Sequence, residues 1–329
     1  MARVLVVGGA GYVGGFLTDR LVAAGHTVRV FDRLLYEDVY MKPVDFVYGD
    51  VRNDAALDPL LAWADAVVWL AALVGEGACS LDPSLTVEIN LESVRRLVRK
   101  FDRRIVFMST CSVYGATDGL LTEESPVNPL SLYAETKFEA EGVLASSDAV
   151  SFRLGTLFGL GDSYSRIRMD LVANALTVKA LLHGRISVFG GAQYRPLLHV
   201  RDVAEAVVQA LSRGSRGVYN LHAANMQIQD LAEAISREVP ETRIHRTEIR
   251  FQDARNYRVS SDKAAAEFGF APRLSLEDGI REIKALVQQG RIRDLSSPRF
   301  SNTDFLRPRL VTEKTPLGFE VGTSDKLGR

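Results

Sequence analysis

The chain has 329 residues, 47% of them apolar and 25% charged, which excludes a disordered or fibrous class. Forty basic against forty-one acidic side chains leave a formal charge of −1, so the strongly basic footprint of a dedicated nucleic-acid binder is excluded too. Two cysteines, Cys79 and Cys111, cannot build a disulfide framework, and no Cys or His pair stands at metal-ligand spacing; a reducing compartment is expected and no metal is.

The length suggests about two domains. Met1 leads directly into an apolar run with no basic segment ahead of it, so no secretion signal is expected. Ala66–Val74 is the longest apolar run and falls well short of the roughly 20 residues of a membrane helix. A cytoplasmic protein with no membrane partner is expected.

Strands are predicted at Arg3–Val7, Thr27–Phe31, Asp45–Tyr48, Ala66–Leu70, Arg104–Met108 and Val150–Leu154. Several are continuous apolar runs, as in strands covered on both faces. Helices are predicted between them at Tyr12–Ala24, Asp54–Ala62, Ser84–Lys100 and Tyr133–Ala145. This alternation argues for an α/β fold, a Rossmann-type doubly wound parallel sheet. After a Gly-rich segment, Gly155–Gly161, helices are expected at Asp170–Leu182, Val200–Leu211, Ile228–Glu238 and Ser275–Gln289, with a strand at Val218–Asn220. They suggest a smaller, partly interleaved α/β substrate lobe. We therefore expect a cofactor domain over residues 1–155 with about 195–216, a substrate lobe over about 156–194 and 217–295, and a tail over 296–329. The tail is rich in Pro, Ser, Thr and Arg. It is expected to hug the surface or move, with a flap or an intersubunit arm as the functional alternative.

Gly8-Gly9-Ala10-Gly11-Tyr12-Val13-Gly14 follows the first strand and opens the first helix. In that context the glycines let the backbone turn and approach a pyrophosphate, which the helix N-terminus attracts. Gly8, Gly11, Tyr12, Val13 and Gly14 are thus candidate cofactor contacts. Asp32 ends the second strand, eighteen positions after Gly14. An acid there accepts hydrogen bonds from a ribose diol and repels a 2′-phosphate, so NAD is expected over NADP. The adjacent Arg33 would weaken that preference if it paired with a phosphate. Asp50, with Val51, ends the third strand, where an adenine should lie.

Tyr133 and Lys137 form Y-x-x-x-K at a helix start, on one helix face. Thr110 ends the fifth strand, on the edge where ligands of such sheets bind. A hydride leaves a carbinol carbon only as its hydroxyl proton is removed. A free tyrosine, with pKa about 10, is a poor base near neutral pH. A lysine ammonium and a cationic nicotinamide both favour the phenolate. Tyr133 is the candidate base, Lys137 its support and a ribose contact, and Thr110 the holder of the reacting oxygen.

The ordered set of the glycine-rich loop, Asp32, Gly49-Asp50-Val51, Leu70-Ala71-Ala72, Ser109-Thr110-x-Ser112-x-Tyr114-Gly115 and Tyr133-x-x-x-Lys137 resembles the extended short-chain dehydrogenase/reductases over roughly residues 1–290. More narrowly, it is similar to their nucleotide-sugar epimerase/dehydratase branch. The resemblance implies that Leu70, Ala71 and Ala72 lie along the cofactor and that Asn90 stabilises the central sheet region. It implies a nucleotide-diphosphate sugar as substrate, with Arg195 and Arg255 clamping the diphosphate. Asn174 is a further candidate for a phosphate or the base. His199 is expected to be structural, and Trp63 and Trp69 to pack in the core. Family precedent suggests a homodimer built on the helices at Ser84–Lys100 and Tyr133–Ala145.

Three reactions share such a scaffold: epimerisation through a 4-keto sugar, 4,6-dehydration, and reduction of a 4-keto sugar by NAD(P)H. Dehydratases of the branch place an acid pair just after the threonine, where this chain has Cys111 and Ser112. Both are candidate substrate contacts. Cys111 is either a titrating thiol or a small packed apolar residue. An NAD-dependent epimerase at C4 is the expectation, a ketoreductase the alternative, and a dehydratase the third reading.

Overall fold

The computed structural model describes residues 1–247 and 255–312. Its strands, in chain order, are β1 (Arg3–Val7), β2 (Thr27–Asp32), β3 (Asp45–Tyr48), β4 (Ala66–Trp69), β5 (Arg104–Thr110), β6 (Ala116–Leu121) and β7 (Ala149–Leu154). There follow β8 (Thr156–Phe158), β9 (Arg185–Phe189), β10 (Tyr194–His199), β11 (Gly217–Leu221), β12 (Ala224–Gln227), β13 (Arg243–Thr247) and β14 (Asn256–Val259). Seven form the main sheet in the order β11-β7-β5-β4-β1-β2-β3, paired in parallel throughout. The fold is the expected Rossmann-type α/β architecture.

The apolar runs account for that sheet. β4 and β5 are buried along their whole length, and β1 from Val4 onward. Side chains alternate across a strand, so each run feeds two cores. Leu5, Val7, Val67, Trp69, Ile105 and Phe107 pack on one face; Val4, Val6, Val68, Val106, Val150 and Phe152 pack on the other. Trp69 is fully buried, and Trp63 packs against its core under the Arg29 guanidinium. Strand order reverses between β1 and β4, and a crevice opens at the carboxyl ends there.

Three small sheets complete the molecule: β12-β10-β8, β13-β9 and β14-β6. A further core of Phe158, Leu176, Ile186, Leu197, Leu231, Ile235 and Ile280 lies among them. The helix Asp202–Ser212 packs instead on the main sheet through Val203, Ala204, Val207 and Ala210. His199 is fully buried, its Nε2 lies 3.0 Å from Glu282 and its ring meets Phe158 edge-on. Burial pushes its pKa down to about 4, so it stays neutral at physiological pH.

Several strands were not expected from the sequence. β6 reads as a polar loop, is mostly exposed, and exists through pairing with β14, far along the chain. The short β9, β10, β12 and β13 likewise depend on distant partners. The expected helix from Tyr12 begins at Gly14, because the preceding residues form the turn of the glycine-rich loop. The expected helix Ser84–Lys100 is interrupted by a π-helical turn at Glu88–Glu92, which aims Asn90 inward. Asn90 is buried and bonds both backbone groups of Leu73. Such single π turns often mark functional sites.

The described part of the tail lies against the rest of the molecule. Pro298–Phe300 forms a 3₁₀ turn and Asn302–Arg307 a short helix. Leu306 is fully buried in the main core, and Phe305 rests on Tyr36. This part is docked, not loose; residues 313–329 lie outside the described residues. Among the described residues, no helix is long and apolar enough to cross a membrane, and no His, Cys, Asp and Glu cluster could hold a metal.

Candidate active site

One cleft runs along the carboxyl edge of the main sheet, from the loops after β2 and β3 to the ends of β5 and β7. Gly8, Gly11, Tyr12, Val13 and Gly14 line it, as do Asp32, Asp50, Val51, Leu70, Ala71 and Ala72. Gly8 adopts φ +83°, and a Cβ there would sit 2.5 Å from the Ala71 nitrogen. A Cβ on Gly14 would sit 2.3 Å from the Gly9 carbonyl oxygen. Both glycines are therefore required by close approach, and they leave the loop's outer face open. The helix that starts at Gly14 has no side-chain cap, so its N–H groups remain for an anion.

Asp32 accepts from the backbone N–H of Ala10 at 3.0 Å and of Leu34 at 2.8 Å. These bonds fix the carboxylate between the glycine-rich loop and the cleft, with lone pairs left for a diol. Arg33 pairs with Asp50 at 2.6 Å, a carboxylate it shares with Arg52 at 2.8 Å. Burial opposes ionisation of Asp50, but Arg52 and Arg33 outweigh it and hold the carboxyl below its ordinary range. The cradle thus suits a dinucleotide without a 2′-phosphate. Asp32→Ala should weaken NAD binding on the order of tenfold, read by calorimetric titration, and narrow the preference over NADP.

Ser131 caps the next relevant helix, Leu132–Leu144, accepting from the Ala134 N–H. The cap sets Tyr133 and Lys137 on the face toward the end of β5. The Tyr133 hydroxyl faces Thr110, which favours its ionised form, and burial outweighs this and pushes its pKa up. Thr110 also accepts from the Ser112 N–H at 3.1 Å, which fixes its rotamer. Lys137 is buried, donates to the Met108 carbonyl at 2.8 Å and lies over the Phe107 ring. Burial lowers its pKa to about 8. Thr110, Tyr133 and Lys137 all line the cleft.

Beneath them lies a buried network that the sequence reading missed. Glu141 sits one turn beyond Lys137 and pairs with Arg153 at 2.6 Å, both side chains 4% exposed. The Ser109 hydroxyl donates to Glu141, and Arg153 donates to the Tyr114 hydroxyl at 2.9 Å. The Tyr114 hydroxyl lies in hydrogen-bonding contact with Asn220. The active-site helix is thereby tied to β5, β7 and β11.

At the substrate end, Ser112, Arg255 and Tyr257 line the cleft, with Ser112 and Tyr257 hydroxyls 3.3 Å apart. Three expected contacts lie elsewhere. Cys111 is fully buried, contacts the Arg153 carbonyl at 3.1 Å and packs with Val113 and Tyr257; burial pushes its thiol up, so it is a packed apolar residue. Asn174 is buried and spends its amide on Gly159 and Arg168. Arg195 is 5% exposed, behind the cleft, and donates to the Tyr194 and Arg255 carbonyls. In each case a backbone group of the fold meets a polar atom of the side chain. The neighbours Asp253 and Ala254, read together with Arg255, lie outside the described residues. Conversely, Tyr36, Arg166, Arg168 and Asn302 line the cleft without having been singled out. Arg166-x-Arg168 after a Gly-rich segment was the readable signal.

A sequence profile of the NAD dependent epimerase/dehydratase family matches residues 4–221. A UDP-glucose 4-epimerase of Rhizobium leguminosarum bv. trifolii is 31% identical over 319 residues, covering 84% of this chain and 95% of that one. A dTDP-glucose 4,6-dehydratase of Actinoplanes sp. is 28% identical over 324 residues, covering 88% and 98%. The solved structure of MoeE5 in complex with UDP-glucose and NAD is 25% identical, with a TM-score of 0.75 over 88% of this chain and 100% of that one. With its phosphate loop, Asp32 and the Thr110–Tyr133–Lys137 trio on one cleft, this chain belongs to the NAD-dependent epimerase/dehydratase family, the nucleotide-sugar branch of the extended short-chain dehydrogenase/reductases.

Proposed function

We propose that the protein is a nucleotide-sugar epimerase that inverts C4 through a transient 4-keto sugar. The observation that carries this reading is the placement of carboxylates. Among the described residues, the acids lining the cleft are Asp32, Glu37 and Asp50, at the end of β2 and in the loops after β2 and β3. Beside Thr110 stand Ser112, Tyr133 and Tyr257 instead. Loss of water from a 4-keto sugar needs an acid and a base at C5 and C6. Epimerisation needs one group that takes and returns a single proton.

In this reading Tyr133 withdraws the C4 hydroxyl proton while Thr110 holds the oxygen. Lys137 supplies charge that favours the phenolate, and the Arg168 guanidinium also acts on Tyr133 in that direction. The chemistry that bound NAD supplies is reversible hydride exchange at C4, so no oxidant is consumed overall. Arg255 binds the substrate diphosphate, and Arg195 positions Arg255 through its carbonyl. Arg255→Ala should raise KM for the nucleotide sugar about tenfold with a smaller effect on kcat, as for lost ground-state binding. The main-sheet lobe holds the cofactor and the smaller lobe the substrate. A dimer through the helices on either side of Asn90 and Tyr133 would cover Phe138, 38% exposed, and sedimentation would measure it.

The test is the cofactor released on denaturing freshly purified protein, counted per chain, followed by turnover of UDP-, dTDP- and GDP-sugars without added cofactor. Near-stoichiometric NAD and a C4-inverted product support the epimerase. A chain that carries none and consumes NADH or NADPH with a 4-keto sugar is a reductase, and a 4-keto-6-deoxy product identifies a dehydratase.

A further inference from the structure

Three buried polar atoms without a partner belong to residues at one end of the cleft: the Tyr36 hydroxyl, Arg166 Nε and Asn302 Oδ1. Arg166 is 6% exposed and stacks on Tyr36, its guanidinium carbon 3.4 Å from the ring centroid. Its neighbouring carboxylates are already engaged: Asp170 holds Arg168 at 2.9 Å, and Glu37 holds Arg299 at 2.7 Å. Burial lowers the Arg166 pKa to about 10, which still leaves it charged at neutral pH. Among the described residues Asp170 and Glu37 favour its charge only from a distance, with no ion pair to Arg166, and a buried cation so placed is costly unless an anion arrives.

Its position says which anion. Tyr36 stands four residues after Asp32, on the loop at the ribose end. The segment before Arg166 lies across the phosphate loop, where the Tyr12 hydroxyl donates to the Gly159 carbonyl at 2.6 Å. Gly15 abuts Ser165 so closely that an added Cβ would sit 2.2 Å from it. The tail fixes this wall from outside. The Arg299 carbonyl accepts from Arg166 at 3.3 Å, the Phe300 carbonyl from the Met169 N–H at 2.9 Å, and Asn302 donates to the Val74 carbonyl at 2.7 Å. That last bond turns Asn302 Oδ1 to the remaining side as an open acceptor.

We propose that Arg166 binds the diphosphate of NAD from across the glycine-rich loop, and that the segment Pro298–Leu306 straps it in place, with Asn302 accepting from a hydroxyl of the same dinucleotide. A guanidinium suits the role because it offers several fixed donors to phosphate oxygens. The cofactor is then gripped on both sides and retained between turnovers. The inference rests on NAD binding in this cleft, not on which sugar reaction follows.

The test uses the full chain with Arg166→Met and Arg166→Lys, stripped of cofactor, with calorimetric titration of NAD and, separately, of UDP. R166M should bind NAD on the order of ten- to a hundredfold more weakly, retain little NAD through purification, and bind UDP as the parent does. R166K should fall between the two, since an ammonium keeps the charge and loses the fork. If R166M does not fold, R166K carries the test with an expected loss of about tenfold. Unchanged NAD affinity overturns the proposal. So does weakened UDP binding with NAD unaffected, which would give Arg166 to the diphosphate of the sugar nucleotide. Failure of the parent chain to bind NAD at all would instead refute the cofactor assignment, and the parent titration separates the two.

Discussion

Tyr133→Phe should lower kcat by 10²- to 10⁴-fold while NAD remains bound at its normal stoichiometry. The substitution removes one oxygen and keeps the ring, so packing around the helix start is retained. It removes the hydroxyl that faces Thr110 from the Y-x-x-x-K face. Burial alone pushes the phenol away from ionisation, so the site has to counter it with positive charge. Lys137, one turn along the same helix face, is itself buried, and its pKa falls to about 8. Burial thus works against the charged form of each group, and the Arg168 guanidinium is a cation that favours the phenolate. KM should move little, because the phenol matters in the transition state more than in the ground state. Full turnover by the Phe variant would remove Tyr133 from the mechanism, whichever sugar reaction operates.

What could be read in the sequence follows from how local each signal is. β1, β4 and β5 announce themselves because both faces of those strands are buried, which leaves continuous apolar runs. The phosphate loop is legible because Gly8 and Gly14 are each forced by contacts that no side chain could survive. Asp32 follows from its place at a strand end. The illegible parts are those decided by distant partners. β6 gains its strand character from β14 across the sequence, and nothing in Ala116–Leu121 signals it. Arg195 is a candidate ligand contact through the family resemblance of its segment, and Asn174 through its place on a predicted helix of the second lobe. Their hydrogen bonds are spent on Gly159, Arg168, Tyr194 and Arg255 carbonyls, a fact of tertiary packing. Cys111 was undecided by spacing and is decided by burial. The tail shows the same limit: its composition leaves a surface-hugging, a mobile and a flap-like segment open, and packing decides, with Leu306 in a slot of the core and Asn302 on the cleft.

Glu141→Ala should cost about 3–5 kcal/mol of stability. The reason is the company Glu141 keeps. Its partner Arg153 would remain charged in a site 4% exposed, facing the Tyr114 hydroxyl but no carboxylate. Burial works against the Arg153 charge, and Glu141 at present outweighs it, raising the guanidinium pKa. Ser109 would lose its acceptor as well. The cost is that of an abandoned cation and not the net worth of the pair. Replacing both partners with apolar residues of similar volume, Glu141→Leu with Arg153→Met, should therefore recover most of the loss. A double-mutant cycle by chemical denaturation measures the coupling directly. The double variant should remain folded yet turn over slowly, because Ser109 adjoins Thr110, and Glu141 continues the helix face that carries Tyr133 and Lys137. A single Glu141→Ala variant as stable as the parent would show that water or a neighbouring group compensates Arg153, and the network would then be a surface-like pair with no hold on the active-site helix.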